Sequence, residues 1–386
     1  MKLKDICKFV NEKVDTSSFH LEDYVSTENL LPNKGGVTVA SKIPQGKATL
    51  FKKGDILISN IRPYFKKIYL AKKHGCCSND VLCIRPNSNI PSSYLYYLLS
   101  QDSFFDYVMT GAKGTKMPRG DKGHIMNWAV YQSTLSQQQN IAEILTPLDD
   151  KIAVNSRICA NLEAQAEALF KSWFVDFTPF KDQPFVDSEL GPIPQGWKVG
   201  KLGDYCECVL GGTPSRSESS YWNGDIAWIN SGEVNKFRIC TPSEFITSKG
   251  LDNSSTKLLP KKTTVLAITG ATLGQISILE IDSCANQSVI GIKQNDNMPY
   301  EFIYPTVKVN IKRLLNLQTG GAQQHINKNN VQNLFIVYPP KFILQKYKEH
   351  TKCIYSKIST LCFENQRLAA LRDTLLPKLM SGEIKL

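Results

Sequence analysis

The chain has 386 residues, which exceeds what one ordinary hydrophobic core accommodates and predicts two or three domains. Lysine and arginine outnumber aspartate and glutamate by 46 to 35, and the resulting net charge of +11 favours an anionic partner. No apolar stretch approaches the roughly 20 residues of a membrane span, and residues 1–10 lack the apolar core of a signal peptide, so we expect no membrane association and a cytoplasmic location.

Residues 1–133 are predicted to form a first mixed α/β domain. Short runs rich in valine, isoleucine and leucine, such as DILISNI (55–61) and DVLCI (80–84), are typical of β-strands. This segment carries 19 basic and 11 acidic side chains, a net charge of +8. Residues 134–178 carry 3 basic and 6 acidic side chains, so we expect the first domain, and not this second segment, to meet a polyanion.

Residues 134–178 are predicted to form a first long spacer helix. Within LDDKIAVNSRICANLEAQAEALFKSWF (148–174), apolar residues recur at alternating spacings of three and four, which is the pattern of a narrow apolar stripe on a helix. One polar residue, Asn155, lies on the stripe. Residues 179–196 are rich in proline and glycine and are predicted to link the two halves of the chain.

The second half of the sequence repeats the first. A shift of 206 residues aligns Leu162 and Leu169 with Leu368 and Leu375, and KLKDICKFV (2–10) is similar to KLGDYCECV (201–209). A period of about 200 residues is far longer than that of a solenoid repeat. The repeat predicts a second domain over residues 197–338 and a second spacer helix over residues 339–386. The expected fold class is therefore α+β, with two pseudo-repeated mixed α/β domains joined by two long antiparallel coiled-coil helices.

An antiparallel pairing of the two helices gives the asparagine on the stripe a partner. If the helices overlap fully, Leu162 faces Ile358 and Asn155 faces Asn365. Two buried amides can satisfy each other, whereas a slip would leave each against hydrocarbon, so we expect the pair to set the coiled-coil register. In the alternative, each helix packs only on its own domain and the asparagine match is a coincidence.

The length of the first helix has a consequence for DNA. The 25 residues between Leu148 and Trp173 correspond to about 37 Å of α-helix. One turn of B-DNA is roughly 34–36 Å long. A rigid pair of helices between two basic domains is therefore suited to reading a split DNA sequence.

Three segments give the chain a family resemblance. They are GGTPSRSESSYWNGDIAWINSGEVN (211–235), TGGAQQHINKNNVQNLFIVYPP (319–340) and LLPKLMSGEIKL (375–386). Together with the duplication, they resemble the DNA-specificity (S) subunit of type I restriction–modification systems. The first half departs more from that pattern, because GAKGTKMPRGDKGHIMNWAVYQ (111–132) has lysines and an arginine where the second half has glutamines.

The resemblance implies a recognition role within a complex. Each of two target recognition domains would read one half of a bipartite, asymmetric sequence in double-stranded DNA. The helices would act as a spacer and as a docking surface for two methyltransferase (M) subunits, and restriction (R) subunits would complete the endonuclease. The S subunit itself would catalyse nothing.

Two basic segments of the first domain are candidate DNA contacts. Arginine can bridge guanine O6 and N7, lysine can neutralise phosphates, and a glycine-rich loop is pliable enough to follow a backbone. The alternative is a solvated hairpin and loop. The candidate residues are Arg62, Tyr64, Lys66, Lys67, Lys113, Thr115, Lys116, Arg119 and Lys122.

The second domain offers polar loops in corresponding places. Side-chain amides suit adenine N6 and N7, so base reading is expected there, although a plain polar turn is the alternative. The candidate residues are Thr213, Ser215, Arg216, Ser217, Tyr221, Gln323, Gln324, His325, Asn327 and Lys328.

The sequence lacks the motifs of the catalytic classes that act on DNA. It has no GxxxxGK[ST] loop, and YPPK (338–341) lacks the asparagine or aspartate that precedes the proline pair of an amino-methyltransferase. The five histidines and eleven cysteines are scattered without metal-ligand spacing. We therefore expect no catalytic residue, no metal and no cofactor. The alternatives are a stand-alone DNA methyltransferase or nuclease with cryptic motifs, and an adaptor that binds nucleic acid.

Overall fold

The computed structural model describes residues 1–317 and 325–386, so the candidate residues Gln323 and Gln324 lie outside the described part of the chain. The chain folds as two units. Unit 1 comprises Met1–Ile152 and Leu368–Leu386, and unit 2 comprises Ala153–Arg367. Within the two described ranges, no helix combines the length and the apolarity needed to cross a membrane.

Unit 1 is built on two four-stranded sheets. The first has the order β1-β8-β5-β6, and the second has the order β2-β4-β7-β3 with β3 and β7 parallel. The strands are β1 (Cys7–Phe9), β2 (Lys13–Asp15), β3 (Tyr24–Val25), β4 (Lys47–Phe51), β5 (Ile56–Ser59), β6 (Ile68–Leu70), β7 (Gly75–Cys77) and β8 (Val81–Pro86).

Helices cover the first sheet of unit 1 and supply most of its core. The short helices α1 (Ser92–Leu99), α2 (Asp102–Thr110) and α3 (Lys122–Met126) precede the long helix α4 (Leu135–Phe174). Strands β5 and β8 are buried along nearly their whole length because helices cover one of their faces and the second sheet adjoins the other. Apolar residues on both faces of these strands account for the uninterrupted runs in the sequence.

The recognition part of unit 2 repeats the main sheet of unit 1. Its four-stranded sheet has the order β12-β18-β15-β16, and a three-stranded sheet has the order β14-β13-β17. The strands of unit 2 are β9 (Phe185–Val186), β10 (Ile193–Pro194), β11 (Lys198–Lys201), β12 (Cys208–Leu210), β13 (Trp222–Ile229), β14 (Glu244–Ile246), β15 (Thr264–Ala267), β16 (Ile276–Ile278), β17 (Cys284–Ala285), β18 (Val289–Ile292) and β19 (Phe335–Tyr338).

The strand register of the two sheets is also the same. Leu57 lies opposite Cys83 between β5 and β8, and Val265 lies opposite Gly291 between β15 and β18. Val265 follows Leu57 by 208 residues, and Gly291 follows Cys83 by the same number. The helices of unit 2 are α5 (Leu202–Tyr205), α6 (Ser248–Asp252), α7 (Tyr300–Val309), α8 (Ile311–Leu315), α9 (Lys328–Gln332) and the long α10 (Lys341–Met380).

The long helices α4 and α10 pack antiparallel inside unit 2. Cys159, Ile358 and Leu361 form a buried cluster, which Leu162 joins from the side. Asn155 is 0% exposed, and its Nδ2 donates to Asn365 Oδ1 at 2.9 Å. The same Nδ2 lies 3.0 Å from a carboxylate oxygen of Glu364. The amide that interrupts the apolar stripe therefore has polar partners on the opposite helix.

The ends of the same helices that belong to unit 1 are also antiparallel. Arg372 Nη1 donates to Asp149 Oδ1 at 2.6 Å, and the Tyr97 hydroxyl donates to the other carboxylate oxygen of Asp149 at 2.9 Å. Leu145 and Leu379 belong to one buried cluster with the domain core. The expected fold class, with two mixed α/β domains and two long antiparallel helices, is confirmed.

Candidate nucleic-acid interface

The two basic segments predicted in unit 1 lie side by side where β5 ends. The Asn60 amide N–H donates to the carbonyl of Asp80, just before β8, at 2.8 Å. The Gly120 N–H donates to the carbonyl of Asn60 at 3.3 Å, and the Arg62 N–H donates to the carbonyl of Pro118 at 2.8 Å. Main-chain hydrogen bonds thus hold three separate loops together at one end of the sheet.

Arg62 occupies a constrained position in this cluster. Its backbone is in the left-handed region, with φ 51° and ψ 63°. A residue other than glycine adopts this conformation only at a cost in free energy. Its Nε is buried and has no hydrogen-bond partner among residues 1–317 and 325–386. A buried donor without a partner is unfavourable, so a movement of the side chain that exposes this atom to a bound acceptor would be favoured. The adjacent rings of Tyr64 and Phe65 are exposed, and their centroids lie 4.7 Å apart.

The two lysines that follow are already engaged within unit 1. Lys66 forms an ion pair with Asp102 at 3.0 Å, and Lys34 pairs with the same carboxylate at 3.0 Å. Lys67 Nζ donates to the carbonyl of Thr27 at 2.6 Å, and burial lowers the pKa of Lys67. Lys67 therefore contributes less to the exposed positive surface than its sequence position indicates.

The glycine-rich loop of unit 1 presents a mixture of paired and unpaired cations. Lys113 pairs with Asp121 at 2.9 Å, and Arg119 pairs with Asp80 at 3.2 Å. Lys122 Nζ lies 5.6 Å from the ring centroid of Phe9. Lys116 is exposed and forms neither a hydrogen bond nor an ion pair within the described ranges. The neighbouring Thr115 is exposed as well.

Asp121 has a structural role beside its lysine partner. Its side chain accepts the backbone N–H of His124 at 2.9 Å and so caps the N-terminus of α3. This hydrogen bond, followed by the one from Lys113, lowers the pKa of Asp121 to about 2. The cap orients the end of the loop that carries the cations.

Unit 2 repeats the main-chain connections that hold the loops of unit 1. The Ile268 N–H donates to the carbonyl of Ser288 at 2.9 Å, and the Ile326 N–H donates to the carbonyl of Ile268 at 3.1 Å. Thr269 and His325 form an antiparallel bridge at the same place. These pairs occupy the positions of Asn60 with Asp80 and of Gly120 with Asn60 in unit 1. The backbone arrangement is thus duplicated, although the side chains differ.

Arg216 is oriented by an aromatic ring and by a carboxylate of unit 2. Its guanidinium lies 3.6 Å from the ring centroid of Trp222 and forms a two-pronged ion pair with Glu244. Trp222 in turn donates from Nε1 to the carbonyl of Ser215 at 3.0 Å. The hydrogen bond from Arg216 lowers the pKa of Glu244. Stacking and pairing fix the plane of the guanidinium at the protein surface.

The other polar candidates of unit 2 lie near Arg216 in the sequence or in the segment that leads into α9. The hydroxyls of Ser215 and Ser217 are 2.8 Å apart, and Lys249 Nζ lies 5.7 Å from the ring centroid of Tyr221. Asn327 accepts the Asn330 N–H at 2.9 Å and is the N-cap of α9, so its side chain serves the backbone. His325 is exposed and Lys328 is half-buried.

Comparison of the two sheets reveals two amide residues that motif reasoning missed. Asn79 accepts a hydrogen bond from Lys13 Nζ at 2.5 Å, and Gln287 accepts one from the Thr213 hydroxyl. Each amide lies in the turn before the central strand of its sheet, and the two are 208 residues apart. The sequence held the signal, because CSNDVLCI (77–84) aligns with ANQSVIGI (285–292).

The described residues contain no cluster of three or more histidine, cysteine or acidic side chains placed to hold a metal ion. All eleven cysteines are free thiols. The arrangement is therefore one of exposed cations, amides and hydroxyls on two similarly braced loop clusters. Such groups can bind phosphate oxygens and the edges of bases.

Comparison with known proteins decides the family. Residues 1–164 and 194–371 match the family described as "Type I restriction modification DNA specificity domain". The chain belongs to this family. The type I specificity chain is 27% identical to the HindI specificity subunit of Haemophilus influenzae, over 99% of this chain and 98% of that protein. It is also 27% identical to the MjaIX specificity subunit of Methanocaldococcus jannaschii, over 94% of this chain and 85% of that protein.

The fold has a counterpart among solved structures. The crystal structure of a type I restriction–modification S subunit from M. genitalium superposes with a TM-score of 0.58, at 16% identity, over 98% of this chain and 95% of that chain. The family resemblance predicted from the three sequence segments is confirmed, as is the principal functional prediction of a type I specificity subunit.

Proposed function

We propose that each mixed α/β domain of this specificity subunit reads one half of a bipartite, asymmetric DNA sequence. The observation that carries the proposal is the duplicated loop cluster. Main-chain bonds from Asn60 and Gly120 in unit 1 recur at Ile268 and Ile326 in unit 2. Because the same backbone presents different side chains in the two copies, the two half-sites should differ in sequence.

The side chains of unit 1 are suited to phosphates and to guanine. We assign backbone phosphate contacts to the exposed cations of the glycine-rich loop, chiefly Lys116, with Lys113, Lys122 and Thr115 beside it. Arg62 has an unpaired Nε and is assigned to a base edge, with Tyr64 and Arg119 next to it. Lys66 and Lys67 would first have to leave Asp102 and Thr27.

The candidate side chains of unit 2 are mostly uncharged and are suited to hydrogen bonds with base edges. We assign base reading to the amides and hydroxyls, namely Thr213, Ser215, Ser217, Tyr221, Gln287, Gln323, Gln324 and His325. Lys328 is assigned to a phosphate. Arg216 is held by Trp222 and Glu244, so it would approach DNA with its orientation already fixed. Asn327 is assigned to the cap of α9 and not to DNA.

We assign the long helices to spacing and docking. The 25 residues between Leu148 and Trp173, about 37 Å of helix, suit a spacer between two half-sites about one helical turn of DNA apart, and the outer faces of the long helices would receive two M subunits. R subunits would join the assembly to form the endonuclease. Free thiols at all eleven cysteines fit a reducing, cytoplasmic setting.

We further propose that the chain catalyses no reaction by itself. The loop clusters supply cations, amides and hydroxyls, and the chemistry would reside in the partner subunits. Purified chain should therefore transfer no methyl group from S-adenosylmethionine to DNA. Methylation by the chain alone would instead support a stand-alone methyltransferase.

Genome sequencing of a host that expresses the chain with its M subunits tests the proposal directly. We expect methylated adenines in a single split motif. Exchange of residues 1–133 for those of another specificity subunit should change one half of the motif and leave the other half intact. Loss of both halves would contradict independent reading, and equal binding to any duplex or to RNA would support the adaptor alternative.

A further inference from the structure

Three cysteines line one cavity in unit 2 that the proposed DNA-reading role does not use. The cavity has a volume of about 410 Å³ and is lined by Cys159 of α4, Cys362 of α10 and Cys240, which lies between β13 and β14. Phe237 and Arg238 form another part of its wall. Three elements that are distant in sequence thus bring their thiols to one place.

The thiol of Cys362 is the centre of this group. It lies next to the thiols of Cys240 and Cys159, and all three side chains line the same cavity. Cys159 is only 3% exposed, and its Sγ points to the carbonyl of Ile358 at 3.9 Å. Cys240 and Cys362 are half-exposed, so a small solute can reach them through the cavity.

The charges around the cavity distinguish the two accessible thiols. The proximity of the two thiols lowers the pKa of Cys240 and raises the pKa of Cys362. Desolvation and the carboxylate of Glu280 oppose the lowering at Cys240, whereas Lys262 and Arg238 assist it. Glu280 is itself paired with Lys262, and this ion pair weakens the effect of the Glu280 charge on the pKa of Cys240. Cys240 is therefore the better nucleophile.

We infer that Cys240 and Cys362 form a peroxide-responsive thiol pair, with Cys240 as the attacking and Cys362 as the resolving residue. The Cys240 thiolate attacks one oxygen of hydrogen peroxide, the O–O bond breaks, and a sulfenic acid and a hydroxide ion form. The Cys362 thiol then attacks the sulfenic sulfur, and a disulfide and one water molecule form. The two sulfurs are oxidised by two electrons in total, and the peroxide is reduced.

The disulfide would join a sheet to a helix within unit 2. The main chain next to Cys240 is fixed to β16, because the Ile239 N–H donates to the carbonyl of Ile278 at 3.0 Å. Cys362 lies in the middle of α10. The bond would therefore fasten the recognition sheet to the spacer helix, and cellular thiols would reverse it by exchange.

Peroxide titration of the full chain tests the inference. The reduced protein is treated with graded hydrogen peroxide, the remaining thiols are alkylated, and the digested peptides are analysed by mass spectrometry. We expect a Cys240–Cys362 disulfide at peroxide concentrations several-fold below those that oxidise Cys353, an exposed thiol on the same helix. The Cys353→Ser variant is the matched control and should form the disulfide normally.

Two variants separate the roles of the pair. In Cys362→Ser, Cys240 should accumulate as a sulfenic acid that dimedone labels, and in Cys240→Ser no cross-link to Cys362 should form. If circular dichroism shows that Cys362→Ser is unfolded, Cys362→Ala replaces it. A dominant Cys159–Cys362 disulfide, or oxidation of Cys353 before any cross-link forms, overturns the inference.

Discussion

Replacing Asn155 with leucine tests whether the buried amide pair sets the helix register. The substitution removes a hydrogen bond of 2.9 Å to Asn365 and one of 3.0 Å to the Glu364 carboxylate, at a site that is 0% exposed. A neutral hydrogen bond contributes about 0.5–1.5 kcal/mol and one to a charged group about 1.5–3 kcal/mol. The side chains of Asn365 and Glu364 are half-exposed, so water replaces part of this loss.

Removal of the Asn155 carbonyl reduces the loss further. Its Oδ1 is buried without a hydrogen-bond partner in the described part of the chain, so leucine relieves an existing penalty at that atom. We expect Asn155→Leu to lower the free energy of unfolding by about 1–3 kcal/mol. The double variant with Asn365→Leu should recover much of that loss, because two apolar side chains then face each other.

Urea unfolding followed by tryptophan fluorescence measures these changes. Four of the five tryptophans belong to unit 2, which also contains both asparagines, so the signal reports mainly on the relevant unit. The coupling energy of the double-mutant cycle should reach about 1 kcal/mol. Additive effects of the two substitutions, within about 0.5 kcal/mol, would refute the pairing.

Three further predictions follow from the ion pairs and loops. Glu163→Ala should destabilise unit 2 by about 3–5 kcal/mol in the same unfolding assay, because it leaves the buried guanidinium of Arg238, 2.6 Å away, without its carboxylate. The pKa of Asp121 is lowered to about 2, so its carboxylate should still cap α3 above pH 4. As the pH falls through 2, Asp121 becomes protonated, and the backbone amides of α3 should lose protection from hydrogen exchange. In binding titrations, Lys116→Ala should weaken binding to all DNA duplexes and reduce the slope of log affinity against log salt concentration by about one. Gln287→Ala should alter base preference in one half-site only. The reverse pattern would contradict the assignments.

The large features of the fold followed from the sequence because they are periodic. The 206-residue shift predicted two domains, and the alternating spacing around Asn155 predicted a helix with an opposing partner at Asn365. Such patterns are visible in the sequence because a long apolar stripe must be buried along its whole length. The strand order and register of the two sheets became visible only when hydrogen bonds such as those of Leu57 and Val265 could be compared.

The state of individual loop side chains could not be predicted in this way. Arg216 pairs with Glu244, which is 28 residues away, and nothing in the local sequence links them. Asn327 reads as a polar loop residue in the sequence, yet its position one residue before α9 makes it a cap. Asn79 and Gln287 were missed because each is inconspicuous alone, and only their equivalent places in the two copies single them out.

The main-chain bonding of the loop clusters has a consequence for how such a protein can change. Backbone carbonyls, which every residue has, and amide hydrogens, which only proline lacks, hold the segments around Asn60 and Ile268. The outward-facing side chains that do not cap a helix, such as Lys116, can therefore be substituted while these main-chain bonds remain. If each domain reads its own half-site as proposed, a lineage that carries this architecture would acquire a new target one half at a time, and the untouched half would preserve its old preference throughout.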